Sequence, residues 1–123
     1  MILVTSSKVH RLLYLKFVET VTADEMRRRV VEVQALLGEF KSGFRLLSDL
    51  EDLKSMEEEC VPILGDMMDQ FKTKGIEMVV RVIPDASKDI GLNILSIFHY
   101  GRKVRTITCE TTVEGMKALG IQS

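Results

Sequence analysis

Apolar residues recur along this chain with two alternating periods, and the switches between them mark its elements. Ile2 to Thr5 reads as a short strand. Ser6, Ser7 and Lys8 form a polar turn into a second strand over 11–18, where Leu13, Leu15 and Phe17 alternate with Leu12, Tyr14 and Lys16. Strands joined this tightly should run antiparallel. Thr22 followed by Glu25 is a capping box, the hydroxyl serving an early helical N–H while the carboxylate reaches back, so a helix should begin at Ala23. Met26, Val30, Val33, Leu37 and Phe40 step by four and three and stack on one face of it, with Arg27, Arg28, Glu32 and Gln34 turned to water. Gly38 weakens the helix end and Gly43 closes the connection.

The same alternation continues downstream. Phe44 to Ser48 is an apolar strand ending on Asp49. Pro62 is tolerated only in a first helical turn, which starts the second helix near Glu59, with an earlier turn from Ser55. Cys60, Leu64, Met67 and Phe71 form its inward face, and Lys72, Lys74 and Gly75 supply a basic last turn and a glycine stop. Glu77 to Ile83 reads as a central strand that Pro84 ends. Asp85 to His99 reads as a third helix carrying Ile90, Ile94 and Ile97. Lys103 to Glu110 is the last strand, and Thr111 or Thr112 caps a short helix that runs to Leu119. The order β-β-α-β-α-β-α-β-α predicts an α/β fold: a mostly parallel four- to five-stranded sheet with an antiparallel N-terminal edge strand and about four helices.

Composition narrows the function classes. The 123 residues fit one domain spanning 1–123, and 46% hydrophobic with 28% charged residues is a globular profile. A formal charge of -1 supplies no field for nucleic acid or anionic membranes. No apolar run approaches the ~20 residues of a membrane-spanning helix, and residues 1–9 lack the basic start of a secretory leader, so a cytoplasmic protein is expected. Cys60 and Cys109 are far apart, and His10 and His99 stand alone, so neither a zinc site nor a disulfide scaffold is indicated.

The stretch from Phe44 to Met78 resembles a STAS domain, the fold of bacterial anti-sigma factor antagonists and of SpoIIAA-like proteins. In that family a strand ends in an aspartate and leads through an apolar turn and an Asp-Ser-Ser-Gly-like motif into a helix; a Lys-Gly pair then precedes the next strand. Asp49, Leu50 and Leu53 look like the strand end and turn, and Leu64, Lys74, Gly75 and Val79 like the later landmarks. Where antagonists carry a phosphorylatable serine at the helix start, this chain has Glu57, Glu58 and Glu59. The resemblance implies a scaffold for partner binding in which kinase-controlled switching has lost its serine.

The candidate residues follow from that stretch. Glu57 to Glu59 form either a fixed negative patch for a basic partner or a carboxylate-rich helix start favoured by the helix dipole. Cys60 sits at a helix start, where a thiol can be activated, but on the apolar stripe and beside three glutamates that oppose it. Met26, Met56, Met67, Met68 and Met78 read as core filler or as the lining of an adaptable ligand pocket. Arg81, Arg102, Lys103 and Arg105 read as a solvated basic rim, since the chain contains neither GxxxxGKS nor GxGxxG. The expected function is a non-enzymatic regulatory module that needs no cofactor or metal. It would dock on a protein partner, a regulator or kinase-like protein, through Asp52, Lys54, Ser55, Glu57, Glu58 and Glu59. An uncovered sheet edge would also allow a homodimer, and the rival expectation is a carrier of a small hydrophobic ligand or lipid.

Overall fold

The computed structural model describes residues 1–83 and 104–121. In chain order the elements are β1 (Ile2–Ser7), β2 (Leu12–Phe17), β3 (Glu19–Val21), α1 (Ala23–Leu37), β4 (Arg45–Asp49), β5 (Leu53–Met56), α2 (Cys60–Lys74), β6 (Met78–Val82), β7 (Arg105–Cys109) and α3 (Thr112–Ala118). Five strands form one sheet in the order β1-β2-β4-β6-β7. β1 is antiparallel to β2 at the edge, and the remaining pairs are parallel, as alternating βα units require. The predicted helix over 85–99, with His99, Tyr100, Arg102 and Lys103, lies outside the described residues, so the described part holds three of the about four helices expected.

Period-2 patterning decides what each sheet face covers. Ile2, Leu13, Leu15, Phe17, Leu46 and Val79 point to one side and pack with Met26, Val33 and Leu37 of α1 and Leu64, Met67 and Phe71 of α2. Phe44 anchors this layer, stacking on Phe40 at 5.5 Å between ring centroids and meeting Phe71 edge-on. Leu12, Leu47, Val80, Val82 and Cys109 point to the other side, where Leu119 and Met116 of the α3 region cover them. α2 ends at Gly75, in the left-handed conformation at φ 91°, where its N–H returns to Lys72 O.

Two short elements were not expected. β3 and β5, of three and four residues, pair parallel in a separate two-stranded ribbon beside the main sheet. They correct the expectation of a helical turn from Ser55, because Ser55 and Met56 pair with Thr20 and Val21 and the regular helix begins only at Cys60. The ribbon sits where the chain leaves β2 and β4, at the carboxyl ends of the parallel strands, and it positions the segment of interest.

Candidate functional site

The six candidate residues lie on one continuous rim, from the loop after β4 through β5 to the start of α2. Four of them are engaged locally. Asp52 receives Lys16 Nζ at 3.1 Å, and that hydrogen bond holds the Lys16 ammonium above its usual pKa. Lys54 pairs with Glu19 at 2.9 Å across the ribbon, and Ser55 Oγ lies 3.1 Å from Thr20 Oγ1. Glu57 reaches a different target. Its Oε1 accepts from the Ala23 N–H at 2.8 Å, while its own N–H donates to Val21 O at 3.0 Å. Glu57 therefore brackets Thr22 and serves a free donor of α1, not of α2.

Glu58 and Glu59 differ from their neighbours. Both are exposed, and among the described residues neither carboxylate is in an ion pair or hydrogen bond. Glu59 occupies the N-cap of α2 without a side-chain capping bond. The structure thus gathers the predicted set on one surface and divides it into four tethered side chains and two unneutralised carboxylates.

Beneath this rim lies a polar cluster that sequence reasoning did not assemble. Asp49, fully buried at the end of β4, accepts from Tyr14 Oη at 2.6 Å on Oδ2 and from the Glu51 N–H at 3.0 Å on Oδ1. Thr112 Oγ1 lies 2.8 Å from Asp49 Oδ2 and 2.8 Å from Glu51 Oε2, and the Thr112 N–H donates to the same Glu51 oxygen. Burial and the Asp49 hydrogen bond push the Tyr14 phenol up, keeping it a donor. The cluster ties β2, β4 and the start of α3 together; the sequence signal for it was the aspartate closing an apolar strand, but its partners come from 35 and 63 residues away.

No family model matches the sequence, and no curated protein matches it either. Solved structures do. SpoIIAA, an anti-sigma factor antagonist in its unphosphorylated form, superimposes with a TM-score of 0.63 at 12% identity, covering 96% of each chain. An uncharacterized DUF3478-family protein with a SpoIIAA-like fold, from Shewanella loihica, gives a TM-score of 0.69 at 13% identity over 97% of this chain and 92% of the other. The chain has a SpoIIAA-like fold. Within that fold Asp49 ends β4, Leu50 in the following turn and Leu53 at the start of β5 are fully buried, and Lys74 and Gly75 close α2 before β6.

The remaining chemical candidates have structural roles in this SpoIIAA-like fold. Cys60 is buried, and burial together with Glu57 and Glu59 pushes its thiol up to about 11, which leaves it protonated and a poor nucleophile. Burial also raises the Cys109 thiol. Met26 of α1, Met56 of β5 and Met67 and Met68 of α2 are core residues on one side of the sheet, and Met78 is buried on the opposite face. A groove of about 450 Å³ between α1 and α2 is lined instead by Gln34, Leu37, Asp69, Gln70, Thr73 and Lys74 among others. Arg81 Nε donates to Thr108 Oγ1 at 2.6 Å and so is tied to β7.

Proposed function

We propose that this chain is a non-enzymatic regulatory module that docks on a protein partner, a regulator or kinase-like protein, through the rim from Asp52 to Glu59. The observation that carries this reading is the pair of exposed carboxylates Glu58 and Glu59 at the mouth of α2, neither of them ion-paired among the described residues. A fixed negative surface at that point attracts a basic surface and does so without being switched on by modification. The tethered residues Asp52, Lys54 and Ser55 hold the surrounding surface in one shape, and Glu57 fixes the backbone from which the two carboxylates project. SpoIIAA, with which this chain shares its fold, is an anti-sigma factor antagonist, and that supports a role in regulation by protein contact.

Charge reversal tests the proposal. A partner recovered by affinity purification of the full chain should bind the Glu58→Lys/Glu59→Lys variant at least tenfold more weakly by titration calorimetry, with a native circular dichroism spectrum. Unchanged affinity in the folded variant would exclude this rim as the docking surface. Glu57 is left intact in that variant because its loss would perturb α1.

A further inference from the structure

Strand β1 forms one edge of the five-stranded sheet. Met1 and Val18 exchange backbone hydrogen bonds at 2.7 Å, which fixes the phase of the antiparallel β1-β2 ladder. Leu3, Thr5 and Ser7 then direct their N–H and C=O groups toward β2, and Ile2, Val4 and Ser6 direct theirs outward. One outward donor is already taken, since the Ile2 N–H donates to Glu25 Oε2 at 2.9 Å. Those of Val4 and Ser6 have no partner among the described residues.

Among the described residues, this edge lacks the usual protections against strand addition. Ile2 to Ser7 contains no charged side chain, no proline and no bulge, while Leu3 is exposed on one of its faces. We infer that β1 pairs antiparallel with β1 of a second copy of this chain, joining two five-stranded sheets into one across a two-fold axis at Thr5.

The register follows from which groups are free. Placing Val4 opposite Ser6 of the second copy, and Ser6 opposite its Val4, lets four outward N–H groups meet four outward carbonyls, two from each residue pair. Sliding to put Val4 opposite Val4 would set Ser6 against Ile2, whose N–H Glu25 has occupied. Sliding the other way would pair Val4 with Lys8, which lies in the turn beyond β1. The favoured register also matches charge. It brings Lys8 of the second copy, in the turn just beyond its β1, to the end of the ladder at Ile2, whose N–H the Glu25 carboxylate holds, and Lys8 carries no ion pair among the described residues. A two-fold axis makes this complementarity occur twice. The inference stands independently of the docking rim, which lies at the carboxyl ends of the parallel strands.

Two kinds of variant read out the pairing and its register. Thr5 would face Thr5 of the second copy as a close, non-hydrogen-bonded pair, a separation a disulfide can span. Thr5→Cys should therefore form a covalent dimer on mild oxidation, and Leu3→Cys, placed opposite Ser7, should not. Ser6→Pro removes an outward N–H that the β1-β2 ladder does not use, and Thr5→Lys sets like charges across the axis. By light scattering over a concentration series, the unaltered chain should have twice its 13.9 kDa mass, falling by half in Ser6→Pro and Thr5→Lys while circular dichroism stays native. A monomeric unaltered chain at every concentration overturns the inference, as does a dimer that survives Thr5→Lys in the folded protein or a Thr5→Cys chain that does not cross-link.

Discussion

Tyr14 Oη donates to Asp49 Oδ2 at 2.6 Å across adjacent parallel strands, and Thr112 Oγ1 reaches the same carboxylate oxygen from the start of α3. A carboxylate with no solvent exposure is tolerable only with such donors around it, so this contact decides whether the end of β4 can be buried. Tyr14→Phe removes one charge-assisted bond and leaves Asp49 its Thr112 and Glu51 contacts; the expected loss is about 1.5 kcal/mol. Asp49→Ala strands the Tyr14 hydroxyl and the Glu51 N–H together and should cost more. Urea unfolding midpoints at neutral pH measure both, and equal losses would mean that the donors find water when Asp49 is gone.

Glu57 provides a sharper contrast with its neighbours. Because it accepts from the Ala23 N–H, Glu57→Ala should destabilise the fold by about 1 kcal/mol, the usual scale for a lost helix cap. Glu58→Ala and Glu59→Ala, with no bond to lose among the described residues, should stay within about 0.5 kcal/mol of the unaltered protein. Thermal unfolding of the three single variants checks the division of this acidic triplet into one structural and two surface carboxylates.

How far the sequence exposes this arrangement depends on the range of the forces involved. Thr22, Gly75 and the four-three stepping of Met26, Val33 and Leu37 were legible because capping, left-handed turns and helical faces are set within a few residues. The capping box was only half right: Thr22 does accept from the Glu25 N–H, but the Glu25 carboxylate goes to the Ile2 N–H and the N-terminal ammonium. β3 and β5 were invisible because strands of three and four residues carry almost no periodic signal and exist through pairing with each other. The six rim residues were located as a contiguous stretch, yet their division was not, since Lys16, Glu19, Thr20 and Ala23 come to them only through the tertiary fold.

Glu25 makes stability depend on acid pH in a defined direction. Burial works to raise its pKa, but the Ile2 N–H and the N-terminal ammonium outweigh burial and hold it below the ordinary value of 4.5. A carboxylate with a depressed folded-state pKa contributes stability above its unfolded pKa and loses it as pH falls through the folded one. Glu25→Gln should therefore be less stable than the unaltered protein at neutral pH, with the gap closing as the pH drops below 4.5. Unfolding free energies measured from pH 7 downward test this; a constant gap would assign the loss to packing instead of charge.

Cys60 and Cys109 should be silent toward thiol reagents in the folded state. With Cys60 held up to about 11 and buried, and Cys109 also raised, neither provides an accessible thiolate near neutral pH. Ellman's reagent should therefore label no thiol rapidly in native protein at pH 8 and both in denaturant. Rapid native labelling of Cys60 would show that the start of α2 opens readily.

Gly115 and Gly65 separate two effects of the same substitution. Both lie inside helices, where alanine is intrinsically favoured over glycine by up to about 1 kcal/mol. A Cβ at Gly65 would meet nothing within 4 Å, so Gly65→Ala should collect that gain and raise the unfolding midpoint. A Cβ at Gly115 would lie 3.1 Å from Val82 Cγ2, 3.3 Å from Leu47 Cδ1 and 3.4 Å from Val80 Cγ1. All three belong to the packed face beneath α3, where inserting a methyl group typically costs about 1–3 kcal/mol. The crowding exceeds the helical gain, and Gly115→Ala should lower the midpoint. Opposite signs in the two variants would place α3 hard against β4 and β6, whereas a stabilising Gly115→Ala would mean that this short helix rides more loosely on the sheet.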